Sequence, residues 1–184
     1  MSCELRSQRD LIPTMSASYY SFWLVPQEPD LTYFQGVINT LAKRFGTVPF
    51  CPHVTLYSGS APSVLTRLPL MAPIELEVDT IQWESRFSKT LYVQLVSSPP
   101  LAQLVNQLVA AIPNAQPPAL APHVSLLYHH LEPAAQQAMA ETISLPRATV
   151  RFDQVQTVDA PSTFETQAHV ASLRCAHRQL LTAP

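Results

Sequence analysis

Hydrophobic and polar positions along the chain alternate in two different periods. Residues 19–26 (YYSFWLVP) are aromatic and apolar enough for a strand that a proline closes. A helical period follows: Phe34, Val37, Ile38, Leu41 and Phe45 recur at helical spacing, with Asp30 or Thr32 as candidate caps and Gly46 as the stop. Residues 52–57 (PHVTLY) predict a second strand. Beyond a proline-bounded stretch at 63–68, residues 74–83 alternate like a half-buried third strand. The order then starts again. A strand at 90–96 (TLYVQLV), a helix at 101–112 and a strand at 122–128 (PHVSLLY) lead to a helix at 133–143 and an alternating strand at 148–158. Residues 169–175 (HVASLRC) predict one more strand. Residues 1–15 are polar and aperiodic, an expected disordered tail that leaves 16–184 as one domain.

The restart is visible in the residues themselves. Pro52-His53-Val54-Thr55-Leu56 returns as Pro122-His123-Val124-Ser125-Leu126, and residues 76–82 (LEVDTIQ) return as 150–156 (VRFDQVQ). Both blocks recur in the same order on matching elements, which predicts an internal duplication of 19–84 and 90–175. The expected fold is α+β and bilobal, with two pseudo-twofold-related antiparallel sheets lining a central cleft and helices on the outside. Residues i and i+2 of a strand share a face. His53 and Thr55 therefore point together, as do His123 and Ser125, while Val54, Leu56, Val124 and Leu126 point into apolar packing.

Two imidazoles facing one cleft can divide acid and base work, because an unperturbed histidine titrates near neutral pH. Hydroxyls beside them can hold phosphate oxygens and absorb charge as it builds. Composition narrows the partner. The net charge is −2 and Lys and Arg total 11, so there is no basic track for a long nucleic acid. A small anionic substrate fits better. Cys3, Cys51 and Cys175 are odd in number and show no C-x-x-C pairing, so neither a disulfide framework nor a zinc site follows, and a Cys51–Cys175 bridge stays open. No apolar run spans a membrane and the N-terminus lacks a signal-peptide core. These features lead to the expectation of a cytoplasmic monomer without a membrane partner, metal or cofactor.

Two His-x-Thr/Ser motifs, one in each half, resemble the signature of the two-histidine (2H) phosphoesterase superfamily. The strings at 20–26 (YSFWLVP), 52–57 and 122–128 are most similar to the plant and yeast-type cyclic phosphodiesterase branch. That resemblance implies hydrolysis of ADP-ribose 1″,2″-cyclic phosphate and of nucleoside 2′,3′-cyclic phosphates. It makes His53 and His123 the acid/base pair and Thr55 and Ser125 phosphate ligands. A first allocation takes His123 as base and His53 as acid, an order that sequence alone leaves reversible. Trp23 and Tyr128 match the family's substrate-binding aromatics. Tyr128 lies five positions after His123, so it reaches the site face only if the strand bulges or ends there. A 2′-5′ RNA-end ligase or phosphodiesterase and a catalytically silent nucleotide-binding module are the alternative functions.

Overall fold

The computed structural model describes residues 18–61 and 71–182. The tail expected at 1–15 and the proline-bounded stretch at 63–68 lie outside the described residues. The described residues form seven strands and four helices in the order β1 (Ser18–Pro26), α1 (Asp30–Phe45), β2 (Val54–Ala61), β3 (Ile74–Gln82), β4 (Leu91–Leu95), α2 (Pro99–Ala110), β5 (His123–Leu127), α3 (Pro133–Ala140), β6 (Thr149–Asp159), α4 (Gln167–Ser172) and β7 (Arg174–Leu180). A short 3-10 turn, Phe87–Lys89, precedes β4.

Local chemistry accounts for several helix ends. Gly46 closes α1 in the left-handed region at φ 65° and returns its N–H to the Ala42 carbonyl. Ser98 caps α2 by accepting the Leu101 N–H, with prolines in the first turn where no N–H is needed. Asp30 does not cap α1 from outside; it opens the helix, and its buried carboxylate accepts the Arg151 N–H at 3.4 Å and faces Arg147 at 3.6 Å. The strand expected at 169–175 divides instead. Thr166 accepts the His169 N–H and starts α4, whose Val170 is buried, and only from Arg174 does the chain extend along β6. A cap three residues upstream outweighed the weak alternation of HVASLRC.

The strand pairings follow a two-fold pattern. β1 lies between β2 and β6, and β4 lies between β5 and β3, all antiparallel. Each lobe thus takes two strands from one half of the chain and the third from the other. β3 and β6 join the lobes, with Leu76 directly opposite Val150. These are residues that the sequence repeat equates, so the pseudo-twofold axis passes through that pair. β7 continues along the edge of β6 that β3 leaves free. The path β2-β1-β6-β3-β4-β5 curls until β2 and β5 adjoin, giving a nearly closed antiparallel barrel.

Both motif strands carry the same irregularity. Phe22 pairs with Tyr57 but Trp23 with Thr55, so Leu56 is the extra residue of a bulge. Leu91 pairs with Leu127 but Tyr92 with Ser125, so Leu126 is the equivalent extra residue. The alternation resets after each bulge. Val54, Leu56, Val124 and Leu126 are all buried in the main core with Phe22, Leu24, Leu104 and Phe152. Full burial of such side chains contributes about 1.5–3 kcal/mol each. No helix among the described residues is long and apolar enough to cross a membrane.

Candidate active site

The two bulged strands bring their polar faces to one cleft of about 290 Å³ between the lobes. His53, Thr55, His123, Ser125, Trp23 and Tyr128 all line it. Each histidine is fixed in the same way. His53 Nδ1 lies 2.7 Å from the Cys51 carbonyl, and His123 Nδ1 lies 2.9 Å from the Ala121 carbonyl. A carbonyl only accepts, so both Nδ1 atoms carry the proton and Nε2 is left as the basic nitrogen of each neutral ring. Pro52 and Pro122 stand between histidine and carbonyl, and each proline favours extended backbone at the residue before it, the one that supplies the carbonyl.

Surroundings make the two rings unequal. His53 is buried, and the Trp23 indole lies flat on it at 3.7 Å between centroids and 5° between planes. Burial pushes the His53 pKa down to about 3; the Cys51 carbonyl opposes this and His123 adds to it. His123 is half-buried. Its pKa is also lowered, first by burial, and its charged neighbours then act in both directions: Lys89 and Arg86 lower it, while Glu84 raises it.

The hydroxyls differ as well. Thr55 is exposed to the cleft, whereas Ser125 is 5% exposed and donates to the Ser88 carbonyl at 2.9 Å. Trp23 lines the cleft but is only 6% exposed. One face is taken by His53, and its Nε1–H donates to Ser21 Oγ at 2.8 Å, which meets Ser58 Oγ at 2.8 Å. Tyr128 reaches the cleft because β5 bulges at Leu126 and ends at Leu127. Its ring stacks on Phe50 at 3.8 Å, and it interacts with Ser125; burial raises its hydroxyl pKa beyond the ordinary tyrosine range. Ser58 holds the corresponding place after the other bulge, three residues past Thr55.

Several lining residues lie outside the set assigned to the site from sequence, where Arg86 and Lys89 read as able to reach a pyrophosphate but by default as exposed charges. Arg86, Ser88 and Lys89 come from the turn before β4, and Pro161, Ser162 and Phe164 from the loop after β6. The turn is clamped from below: Thr90, fully buried, donates to the Phe87 carbonyl at 3.0 Å and bonds the His129 carbonyl. Gln136 donates to the Glu84 carbonyl at 2.7 Å. Gln167 accepts the Val48 N–H at 2.8 Å and donates to the Tyr128 carbonyl at 2.6 Å, tying the approach to one motif to the exit from the other. Ser21 and Tyr19 were the findable ones, since they alternate with Trp23 on the same strand face.

His129 and His130 follow Tyr128 without forming a ligand cluster; no group of three His, Cys, Asp or Glu side chains among the described residues is placed to hold a metal ion. Cys51 and Cys175 are free thiols.

Comparison with solved structures finds the same fold in E. coli LigT. The complex with 3′-AMP aligns at 15% identity and a TM-score of 0.53, covering 91% of this chain and 99% of that one. The complex with NADP+ aligns at 16% identity and a TM-score of 0.52 over the same shares. A structure described as a phosphoesterase aligns at 15% identity and 0.53, again over 91% and 99%. No curated protein matches the chain significantly. The model of the cyclic phosphodiesterase-like protein family matches residues 15–178, nearly the whole chain. With paired His-x-hydroxyl strands about a pseudo-twofold cleft, the chain belongs to that family, within the two-histidine phosphoesterase superfamily.

Proposed function

We propose that the chain hydrolyses small cyclic phosphates without a metal, nucleoside 2′,3′-cyclic phosphates to 2′-phosphates and ADP-ribose 1″,2″-cyclic phosphate to ADP-ribose 1″-phosphate. The observation that carries this reading is the pair of histidines on one cleft, each with Nδ1 donating to a carbonyl and Nε2 as its basic nitrogen. One neutral ring takes a proton from water as its oxygen bonds to phosphorus. The other, as imidazolium, gives a proton to the ring oxygen whose bond to phosphorus breaks. The pair exchanges protonation states in each turnover.

Burial favours His53 as the base and His123 as the acid, the reverse of the first allocation drawn from sequence. His53, under Trp23, stays neutral in the free protein, whereas His123 is more open and has Glu84 among its charged neighbours. An anionic phosphate seated between them raises both affinities for a proton. Thr55 is the hydroxyl open to a phosphate oxygen. Ser125 joins it by exchanging its bond to Ser88. Trp23 serves first to cover His53, and Tyr128, backed by Phe50, to line the site.

The cleft volume suits one nucleotide-sized ligand, and E. coli LigT, of the same fold, is described in complexes with 3′-AMP and NADP+. We propose that the protein acts as a cytoplasmic monomer. The test is a substrate panel in excess EDTA: ADP-ribose 1″,2″-cyclic phosphate, a 2′,3′-cyclic nucleotide and a 2′,5′-linked oligonucleotide. Turnover of the cyclic substrates with EDTA present supports the proposal; loss of turnover that added metal restores refutes it. Cleavage of the linear oligonucleotide alone would favour the RNA-end alternative.

A further inference from the structure

Trp23 and Tyr92 occupy equivalent places on β1 and β4. Each lies directly across the ladder from a motif hydroxyl, Thr55 or Ser125, and each follows the shift in register. Each also packs on its lobe's histidine. The contacts differ in kind. Trp23 lies flat on His53 and turns its N–H to uncharged Ser21. Tyr92 meets His123 edge to face at 5.3 Å, and its hydroxyl reaches Glu84 Oε1 at 3.0 Å and Gln82 Oε1 at 3.2 Å.

Glu84 is in turn the anchor of a cation. Lys89 Nζ lies 3.3 Å from the same Glu84 Oε1 and 4.8 Å from the centre of the Tyr92 ring. The Lys89 side chain is only 16% exposed, unusual for a lysine unless it is paired, whereas Arg86, 3.7 Å from Glu84, is 68% exposed. Tyr92 is 3% exposed, so a buried aromatic carries the contact between His123 and this ion pair.

We infer that Tyr92 and Glu84 form a positioning device for His123, which ties the ring to Lys89 so that the carboxylate and the ammonium together set how readily His123 holds a proton. The insulated ring and the wired ring make an asymmetric acid/base pair out of a two-fold frame. The inference rests on the two-histidine reading for its purpose, but the coupling itself is a property of the ligand-free protein. The charged and titratable groups around His123 are Glu84, Arg86, Lys89 and Tyr92 on the β3–β4 side and His53 just before β2; Gln94, its partner on β4, is uncharged. The segment before His123, residues 113–122, contributes no charge.

The experiment is a titration of the histidine ring protons by NMR in the ligand-free protein, with His123 assigned through His123→Asn. Glu84→Gln removes a negative neighbour and is expected to lower the His123 midpoint by about half a pH unit. Lys89→Met removes a positive one and is expected to raise it by a similar amount. Tyr92→Phe keeps the ring and drops the tie to Glu84, so it should shift the midpoint in the Glu84→Gln direction by less. The double variant Glu84→Gln/Lys89→Met should restore a midpoint near wild type, which separates charge coupling from damage to the fold. Opposite shifts from Glu84→Gln and Lys89→Met, together with a smaller Tyr92→Phe shift in the Glu84→Gln direction, establish the device; opposite charge shifts with no shift from Tyr92→Phe overturn the part given to Tyr92. Shifts of the same sign, or none above about 0.1 unit, overturn it even if the protein proves to be an active hydrolase. Loss of hydrolysis alone would bear on the proposed function and leave this result standing.

Discussion

Replacing His53 by Asn should make the protein more tolerant of acid relative to wild type. The folded protein keeps His53 neutral down to about pH 3 because burial under Trp23 penalises its charged form. The unfolded chain takes up that proton near the ordinary value of about 6.5. Below that value the unfolded state binds more protons, so wild-type stability falls as pH drops and levels off only near the folded value. Each unit is equivalent to about 1.4 kcal/mol, so the contribution lost between pH 7 and pH 4.5 is about 2–3 kcal/mol. Asn cannot titrate, and its amide can still donate to the Cys51 carbonyl. At pH 7 the variant should be the less stable protein because it loses the flat contact with the indole. Urea unfolding of both proteins at pH 7.0 and 4.5 reads the difference, and the gap should move by about 2–3 kcal/mol in the variant's favour on going to the lower pH. Parallel stability–pH curves would refute the claim that His53 is buried neutral. His123→Asn is the comparison, with a smaller change expected because His123 is only half-buried.

Three further outcomes follow from the geometry. Thr55→Val should keep the fold, since the side chain is exposed, yet lower kcat by about 10²-fold in steady-state assays, the size expected for one lost oxyanion donor. Trp23→Leu should cost about 2–4 kcal/mol in denaturant melts and raise the NMR midpoint of His53 towards the ordinary value, because its cover is removed. Gln167→Leu should cost about 1–3 kcal/mol through the orphaned Val48 N–H and Tyr128 carbonyl, with a loss of turnover larger than the fraction unfolded explains.

The repeated PHV[TS]L string carried much of what could be read in advance. It named both histidines and both hydroxyls, and the second repeat, at 76–82 and 150–156, already contained the pair Leu76 and Val150 that meets on the two-fold axis. The leucine that follows each hydroxyl turned out to be the bulge residue, and without that reset neither Tyr128 nor Ser58 faces the cleft. Alternation alone could not show it, because a bulge changes parity without changing composition. The partners of the histidines were hidden for a different reason. Trp23 and Tyr92 act across a ladder whose register depends on those bulges, and Glu84 and Lys89 meet Tyr92 through a turn with no periodic signal. The equal sequence motifs also concealed unequal rings, since burial is a property of the packed lobes. At 169–175 a buried valine and a threonine cap made a helix where a strand was expected.

The most direct test of the two-histidine account is single-turnover hydrolysis of a 2′,3′-cyclic nucleotide by wild type, His53→Ala and His123→Ala, with EDTA present and the phosphate position of the product determined. The account predicts a 2′-phosphate from wild type and a loss of about 10²–10⁴-fold in rate for each variant. Near-normal turnover by both variants would contradict it.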